Sequence, residues 1–466
     1  MLWTATDSDS GSTAEATAGR PRGIRDRATR LLSGMNLVPL TIVVAAAGAT
    51  RLAWIAIVRA QPVSDYLFYY RSAVNIADGH GFSMLGHPTA FFPVGYPAFL
   101  AAIFSIAGTD VGVMRFANIA LWMVAAGLAF LLGVRVGGRA VGIVAGLIVA
   151  CYPEYVIYSG LGASENLMVP LLLLFCVVMA GAPGGRLTAK RGLAAGVVLG
   201  LAMLVRSTAL PVPILFAGYV VLRDRRALRG AAVMLAVATL VAAPWVARNR
   251  VVMGAPVMST NGGYTLWMGL NPNATGGSMV KGGNPPWPIE SVDSERRVNA
   301  QLMREAIDFV VHHPGAAAAL VPKKTRLLFR WAGGILVSSR AQTPADGSFK
   351  RTTPRIVGPL ERRALNATRD NDWVFRALHA TYLSLGAVGL VWALWRRRPG
   401  SDIVALIIGF WIVFHVTLIH GQTRFLVSVS PLLAPFAAYL GFSLARAARS
   451  GLSRRRAPVV AGPPLS

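Results

Sequence analysis

Residues 93–108 read Pro93-Val-Gly-Tyr-Pro-Ala-Phe-Leu-Ala-Ala-Ile-Phe-Ser-Ile-Ala-Gly108, an apolar run broken by proline and glycine. Whether this run crosses a bilayer decides the side of every later loop. Composition makes a bilayer the solvent to consider. The residues Ala, Val, Ile, Leu, Met, Phe, Trp, Tyr and Cys are 54% of the 466 positions, and charged residues are 14%, against about 25% in soluble domains. Mean hydropathy is +0.52. A soluble fold of this length could not hide that much apolar surface. The two cysteines, Cys151 and Cys176, both lie in apolar runs and build neither a disulfide framework nor a zinc site.

Outward from that run, apolar stretches predict ten helical spans at about 38–58, 113–134, 139–158, 167–183, 192–205, 208–222, 230–247, 375–395, 402–420 and 424–446. Charge settles the question of 93–108. The chain has 46 Lys and Arg against 20 Asp and Glu, a formal charge of +26. In a soluble protein that would suggest nucleic acid; here retained cytoplasmic loops explain it. If 93–108 does not cross, the clusters Arg135/Arg139, Arg186/Lys190/Arg191, Arg223/Arg225/Arg226/Arg229, Arg396/Arg397/Arg398 and Arg446/Arg449/Arg454/Arg455/Arg456 share the cytoplasmic side. If it crosses, they face outward, against the positive-inside rule. The first arrangement is therefore expected, with both termini cytoplasmic.

The expected organisation follows. Residues 1–37 are a polar, then arginine-rich, disordered cytoplasmic tail. The first apolar run begins near Val38, too deep and too long for a cleaved signal. Residues 38–248 form a catalytic transmembrane module, 249–374 an extracytoplasmic loop region, 375–446 the last transmembrane helices and 447–466 a cytoplasmic tail. The fold class is an all-α integral membrane protein. Its long first outer loop, 59–112, carries amphipathic helices, and its second is larger and mixed. In the second, a helix is expected at about 293–313, capped by Asp293 and stopped by Pro314 and Gly315, with an interfacial helix in 316–337. Asn273 and Asn366 begin sequons that matter only in a glycosylating host.

Acids are scarce at the outer face. Ser64–Ala77 reads as an amphipathic helix with Ser64 at its N-cap and Gly79 past its end. Asp65 then lies in its first turn, either complementing the helix dipole or free for chemistry. Glu165 lies in the next outer turn, and two acids brought to one face by separate loops can perform acid/base or metal chemistry. Glu154 follows Pro153 at a deeper level, where an acid is costly and usually has a partner. Arg206, Arg248 and Arg424 open or close spans at the same face. Each either snorkels or offers its planar fork of donors to a phosphate. Arg51, two turns below the outer end of the first span, is assigned to snorkelling. His80, His87 and Tyr96 are candidate accessory groups, although the histidine spacing is no zinc signature. No Walker A motif or dinucleotide fingerprint supports a nucleotide-driven machine.

Five stretches carry a resemblance when taken in order: Asp65 to Phe82, Phe92 to Leu100, Tyr152-Pro153-Glu154 with Ser159 to Asn166, Pro244 to Asn249, and Thr423-Arg424-Phe425 with Pro431-Leu432-Leu433. The sequence resembles the GT-C superfamily of polytopic membrane glycosyltransferases, nearest to bacterial relatives of protein O-mannosyltransferases and to aminoarabinose transferases. The resemblance implies a polyprenyl-phosphate-linked sugar donor, used at the extracytoplasmic face of the cytoplasmic membrane in building the cell envelope. Asp65 matches the early loop aspartate that acts as catalytic base. Glu165 matches the acid of the second outer loop, where many relatives carry Asp. The metal-binding residues of some relatives do not map onto this chain, which leaves a divalent metal open. The acceptor is a glycan, lipid or protein hydroxyl, with no nucleic acid partner. A flippase or transporter of lipid-linked sugars, or a glycan polymerase or ligase, is the alternative; the transporter predicts internal repeats, and none is evident. The sugar, the acceptor and the oligomeric state are not legible in the sequence.

Overall fold

The computed structural model describes residues 37–180, 187–331, 341–342 and 353–455. The expected tails 1–37 and 447–466, Arg186, Arg456 and residues 332–337 fall wholly or partly outside them. In chain order the helices are α1 Val38–Ile57, α2 Asp65–Ala77, α3 Gly95–Ala107, α4 Val111–Gly137, α5 Arg139–Cys151, α6 Pro153–Ser159, α7 Glu165–Ala180, α8 Ala189–Val205, α9 Val212–Arg223 and α10 Leu228–Val252. They continue as α11 Gly262–Gly269, α12 Val292–His312, α13 Pro314–Leu328, α14 Pro359–Asp370, α15 Asp372–Trp395, α16 Ser401–Thr417, α17 Thr423–Val427 and α18 Ala434–Arg455.

Every expected span falls on one or more of these helices. Val38–Ile57, Val111–Gly137, Arg225–Val252 and Asp372–Trp395 are long and apolar enough to cross a membrane, and α5 with α6 makes a pair bent by 55°. Pro153 causes that bend, because it has no N–H to continue the helix and disfavours helical geometry in the residue before it. The remaining expected spans fall on shorter or broken helices. A multi-pass helical membrane protein is what the helices define; they do not establish ten crossings. The last span is corrected: α17, a 3-10 turn at Ser430–Leu433 and α18 replace one continuous helix, at a chain stretch that contains Pro431 and Pro435.

Helix contacts follow small residues. Gly192, Gly196 and Gly200 recur every fourth position on α8, and a Cβ on each would meet Gly230, Met234 with Val237, and Val241 with Ala238 of α10 at under 3.0 Å. Such spacing lets two backbones approach closely in a lipid solvent, where packing rather than hydrophobicity drives association. Two buried cations cap helix ends. Arg51 donates from Nη2 to Val149 O at 2.9 Å and from Nη1 to Ala150 O at 2.8 Å, and stacks on Trp122. Its assignment to snorkelling is overturned: it is fully buried and satisfies orphan carbonyls at the broken end of α5. Lys324 does the same for α16, donating to Thr417 O at 3.0 Å.

The two expected outer segments pack on each other at one end of the bundle. Thr260 N donates to Ala90 O at 2.8 Å, and the buried Glu295 accepts from Thr89 Oγ1, Ala90 N and Thr260 Oγ1. At the other end, Arg398 Nε donates to Val136 O at 2.6 Å and Arg223 pairs with Asp402 at 2.5 Å. The outer helix α12 begins at Ser291, whose side chain accepts from Ser294 N in a capping box, so Ser291 and not Asp293 is its cap. Pro314 ends it by opening α13 directly.

Candidate active site

Helix α2 starts one residue after Ser64, whose φ of 51 and ψ of −128 lie outside the usual space of an L-residue. Ser64 makes no backbone cap; its Oγ donates instead to Asp65 Oδ1 at 3.2 Å. Gly79, at φ 83, closes the far end of α2 in the left-handed conformation expected of it. Asp65 is thus presented at the first turn of a short helix, whose Phe68 joins an aromatic cluster with Phe91, Phe92 and Trp287.

Glu165 opens α7. Arg206 stands at the extended residue between α8 and the turn Ser207–Ala209, where Gly95 of α3 abuts the Leu204–Val205 backbone closely enough to exclude a Cβ. Arg424 lies in α17, held from outside: Gly421 N donates to Gly276 O at 2.7 Å, and Thr423 Oγ1 to Leu327 O at 3.3 Å. From the membrane side, Trp411 Nε1 donates to Phe425 O at 2.8 Å. Four chain segments therefore deliver these side chains.

They meet. Arg424 Nη1 lies 2.5 Å from Asp65 Oδ2, and its Nε lies 3.1 Å from Glu165 Oε1. Arg206 Nη1 reaches the same Glu165 oxygen at 2.7 Å and Ser164 Oγ at 3.5 Å. Two acids and two arginines give a neutral cluster, as a charge cluster shielded from water requires. The Phe425 ring lies under both guanidinium groups, at 5.3 Å from Arg206 Cζ and 5.9 Å from Arg424 Cζ. Exposure separates the acids: the Glu165 side chain is 0% exposed and that of Asp65 21%. Asp65 is thus partly open to solvent, whereas the buried Glu165 is enclosed with its two arginines. Burial pushes the Tyr69 phenol up to about 12 and raises Tyr66 further, against the pull of Arg424. Both phenols stay protonated near neutrality.

The other expected residues sit elsewhere. Arg248 donates to Thr89 O at 2.8 Å and to Phe82 O at 3.0 Å and stacks on Trp245, so it clasps the first outer loop and takes no part in the four-residue cluster. Glu154 is buried beside His379, with Oε2 3.6 Å from Nδ1, in a polar knot where the Tyr152 hydroxyl lies 2.7 Å from His379 Nδ1. Tyr96 is buried and donates to Asn118 Oδ1 at 2.9 Å while packing edge-on against Tyr69. His80 and His87 are exposed, His87 on a hairpin of Ser83–Met84 with His87–Pro88. Among the described residues no three His, Cys, Asp or Glu side chains are grouped to hold a metal ion. Glu165 Oε1 is shared by two arginines, while its buried Oε2 has no hydrogen-bond partner.

Next to Arg206 opens a cavity of about 780 Å³, lined by Met203, Ser207, Ala243, Val246, Arg250 and Ser259 among others. It lies between the end of α8 and α10 and is mostly apolar, with serines toward the Arg206 side.

Glu295 and Lys324 are among the buried charges missed by the sequence reading, with Arg115 and Glu361. Glu295 and Lys324 each sit on the apolar face of an amphipathic helix, Glu295 in line with Val298, Leu302, Ala306 and Phe309, and Lys324 between Leu320 and Leu328. A charge at a core-facing position is the signal that would have found them.

Residues 91–247 match the family described as dolichyl-phosphate-mannose-protein mannosyltransferase. The match covers about a third of the chain and contains Glu165 and Arg206, but not Asp65 or Arg424. On this match stands the resemblance to the GT-C membrane glycosyltransferases. No curated protein matches the chain. Among solved structures, the chain is similar to the oligosaccharyltransferase AglB of Archaeoglobus fulgidus in complex with an inhibitory peptide and a dolichol-phosphate: identity 16%, TM-score 0.46, covering 92% of this chain and 52% of that one. It is also similar to ArnT of Cupriavidus metallidurans bound to undecaprenyl phosphate: identity 11%, TM-score 0.39, covering 90% and 80%. The chain spans about half the length of the archaeal enzyme.

Proposed function

We propose that this protein is a glycosyltransferase that moves a sugar from a polyprenyl-phosphate-linked donor to an acceptor hydroxyl at the extracytoplasmic membrane face. The observation that carries the reading is the convergence of Asp65 and Glu165, from separate outer turns, on Arg424. The match of residues 91–247 to a family whose description names a lipid-phosphate sugar supports the donor class.

In this reading Asp65 removes the proton of the acceptor hydroxyl as its oxygen attacks the anomeric carbon. The bond from that carbon to the phosphate oxygen breaks, and the electron pair leaves on the lipid phosphate. Arg424 and Arg206 stabilise the departing charge through paired, charge-assisted donors. One displacement inverts the anomeric configuration. The apolar cavity that starts at Ser207 is suited to the first isoprene units of the lipid. The partial exposure of the Asp65 carboxylate supports its reading as the base, and the burial of Glu165 supports a role in keeping both arginines in register.

A screen of radiolabelled polyprenyl-phosphate sugars with purified protein and envelope acceptors tests the reading. Transfer of one monosaccharide supports it. Movement of the lipid-linked sugar across vesicles without transfer identifies a flippase instead, and chain growth identifies a polymerase.

A further inference from the structure

We propose that Arg424 is a latch that keeps Asp65 from acting until the donor phosphate is bound; the proposal rests on the lipid-phosphate reading above. The cluster holds Arg424 by two separate arms. Nε is fixed to Glu165, which is buried and braced by Arg206 at 2.7 Å. Nη1 is fixed to Asp65, the exposed member, at 2.5 Å. The inner arm is a pivot and the outer arm is the one that substrate can reach.

Both oxygens of the Asp65 carboxylate already accept hydrogen bonds, Oδ2 from Arg424 Nη1 and Oδ1 from Ser64 Oγ, so the oxygen that Arg424 holds is not open to an incoming hydroxyl. With Arg424 in place, Asp65 is held out of use. A phosphate entering beside Arg206 competes for the outer arm with greater negative charge and more acceptor oxygens. When Nη1 turns to the phosphate about the Nε–Glu165 contact, Asp65 Oδ2 is freed to accept a hydrogen bond from the acceptor hydroxyl. Donor binding and arming of the base become one event, and no base stands ready while the donor is absent. Glu165 and Arg206 are positioning residues in this scheme: they keep the pivot fixed while the outer arm moves.

Coupling of this kind is reciprocal. If phosphate must draw Arg424 from Asp65, then removing the Asp65 charge makes phosphate bind more tightly, and only while Arg424 is present. The experiment measures binding of decaprenyl monophosphate to the purified full chain in nanodiscs, for wild type, Asp65→Asn, Arg424→Gln and the double variant. Asp78→Asn, an exposed acid of the same outer segment, controls for general charge removal. We expect Asp65→Asn to tighten binding about tenfold, a coupling of ordinary size. Arg424→Gln should weaken binding, the double variant should bind no better than Arg424→Gln, and Asp78→Asn should leave affinity unchanged. Asp65→Ser repeats the measurement if the Asn variant does not fold. Wild-type binding with no tightening in the Asp65 variants overturns the latch and leaves the donor reading standing. Tightening that persists without Arg424 also overturns it. No binding of decaprenyl monophosphate by wild type removes both.

Discussion

Arg424 donates from Nε to Glu165 Oε1 at 3.1 Å, across 259 positions of the chain. This contact joins the short helix α17 to the first turn of α7. Losing it should be worse than losing either arginine's outer contacts. Glu165→Gln keeps the shape but leaves two cations without their shared charge. We expect donor affinity to fall and the protein to lose thermal stability, since breaking a buried pair leaves an uncompensated charge. Donor binding and a melting curve on the same preparation check both. An unchanged affinity would assign Glu165 to packing alone.

Arg424→Lys should rescue little of the activity lost in Arg424→Gln, because an ammonium cannot hold Glu165 and Asp65 by a planar fork. Arg248→Lys tests the opposite case. Arg248 binds the Phe82 and Thr89 carbonyls and stacks on Trp245, so its loss should loosen the first outer loop. Faster proteolysis within 82–92, with donor affinity reduced less than in Arg424→Lys, is the expected pattern. Equal loss of donor affinity in both would place Arg248 at the phosphate.

How far the sequence led can be seen at particular residues. Asp65, Glu165, Arg206 and Arg424 were legible because charges are rare in an apolar chain and each stood at the end of an apolar run. Their approach at one face was expected from the same reading, with Arg248 among them; which acid pairs with which arginine was not legible, since pairing over such distances depends on how the helices pack. Arg248 looked equivalent to Arg206 in sequence, and only the position of the Phe82–Thr89 loop separates them. Arg51 was misread because a cation two turns below a helix end is near enough to snorkel; the broken end of α5 that it caps is supplied by a different helix. The glycine stripe on α8 was present in the sequence and overlooked, and it sets the approach of α10 that borders the cavity.

Topology is testable without activity. Described residues of 59–112 and 249–374, such as Ala90 and Thr260, pack together at one end of the bundle, and the positive-inside rule predicts that the end carrying the arginine clusters is cytoplasmic. In a background lacking Cys151 and Cys176, Ser278→Cys should react with an impermeant maleimide from outside and Thr188→Cys should not. The reverse pattern would invert the whole arrangement and put 93–108 across the membrane.

Lys324 gives a pH prediction. Burial lowers its ammonium from 10.5 to about 8. The folded state therefore binds its proton less tightly than the unfolded state, so its stabilising contribution is present above about 10.5 and is lost as pH falls through about 8. The melting temperature of wild type in detergent should rise between those limits relative to Lys324→Met, in which that dependence is absent. Parallel curves for the two proteins would show that Lys324 titrates normally.

The central claim is that Asp65 takes the acceptor proton during sugar transfer from a lipid phosphate. Its most direct test is single-turnover transfer by purified Asp65→Asn loaded with a radiolabelled polyprenyl-phosphate sugar that wild type uses. The account predicts transfer slower by about 10²–10⁴-fold, the usual contribution of general-base catalysis, with donor still bound. Transfer at a near-wild-type rate would contradict it and make Glu165 or Glu154 the next carboxylate to test.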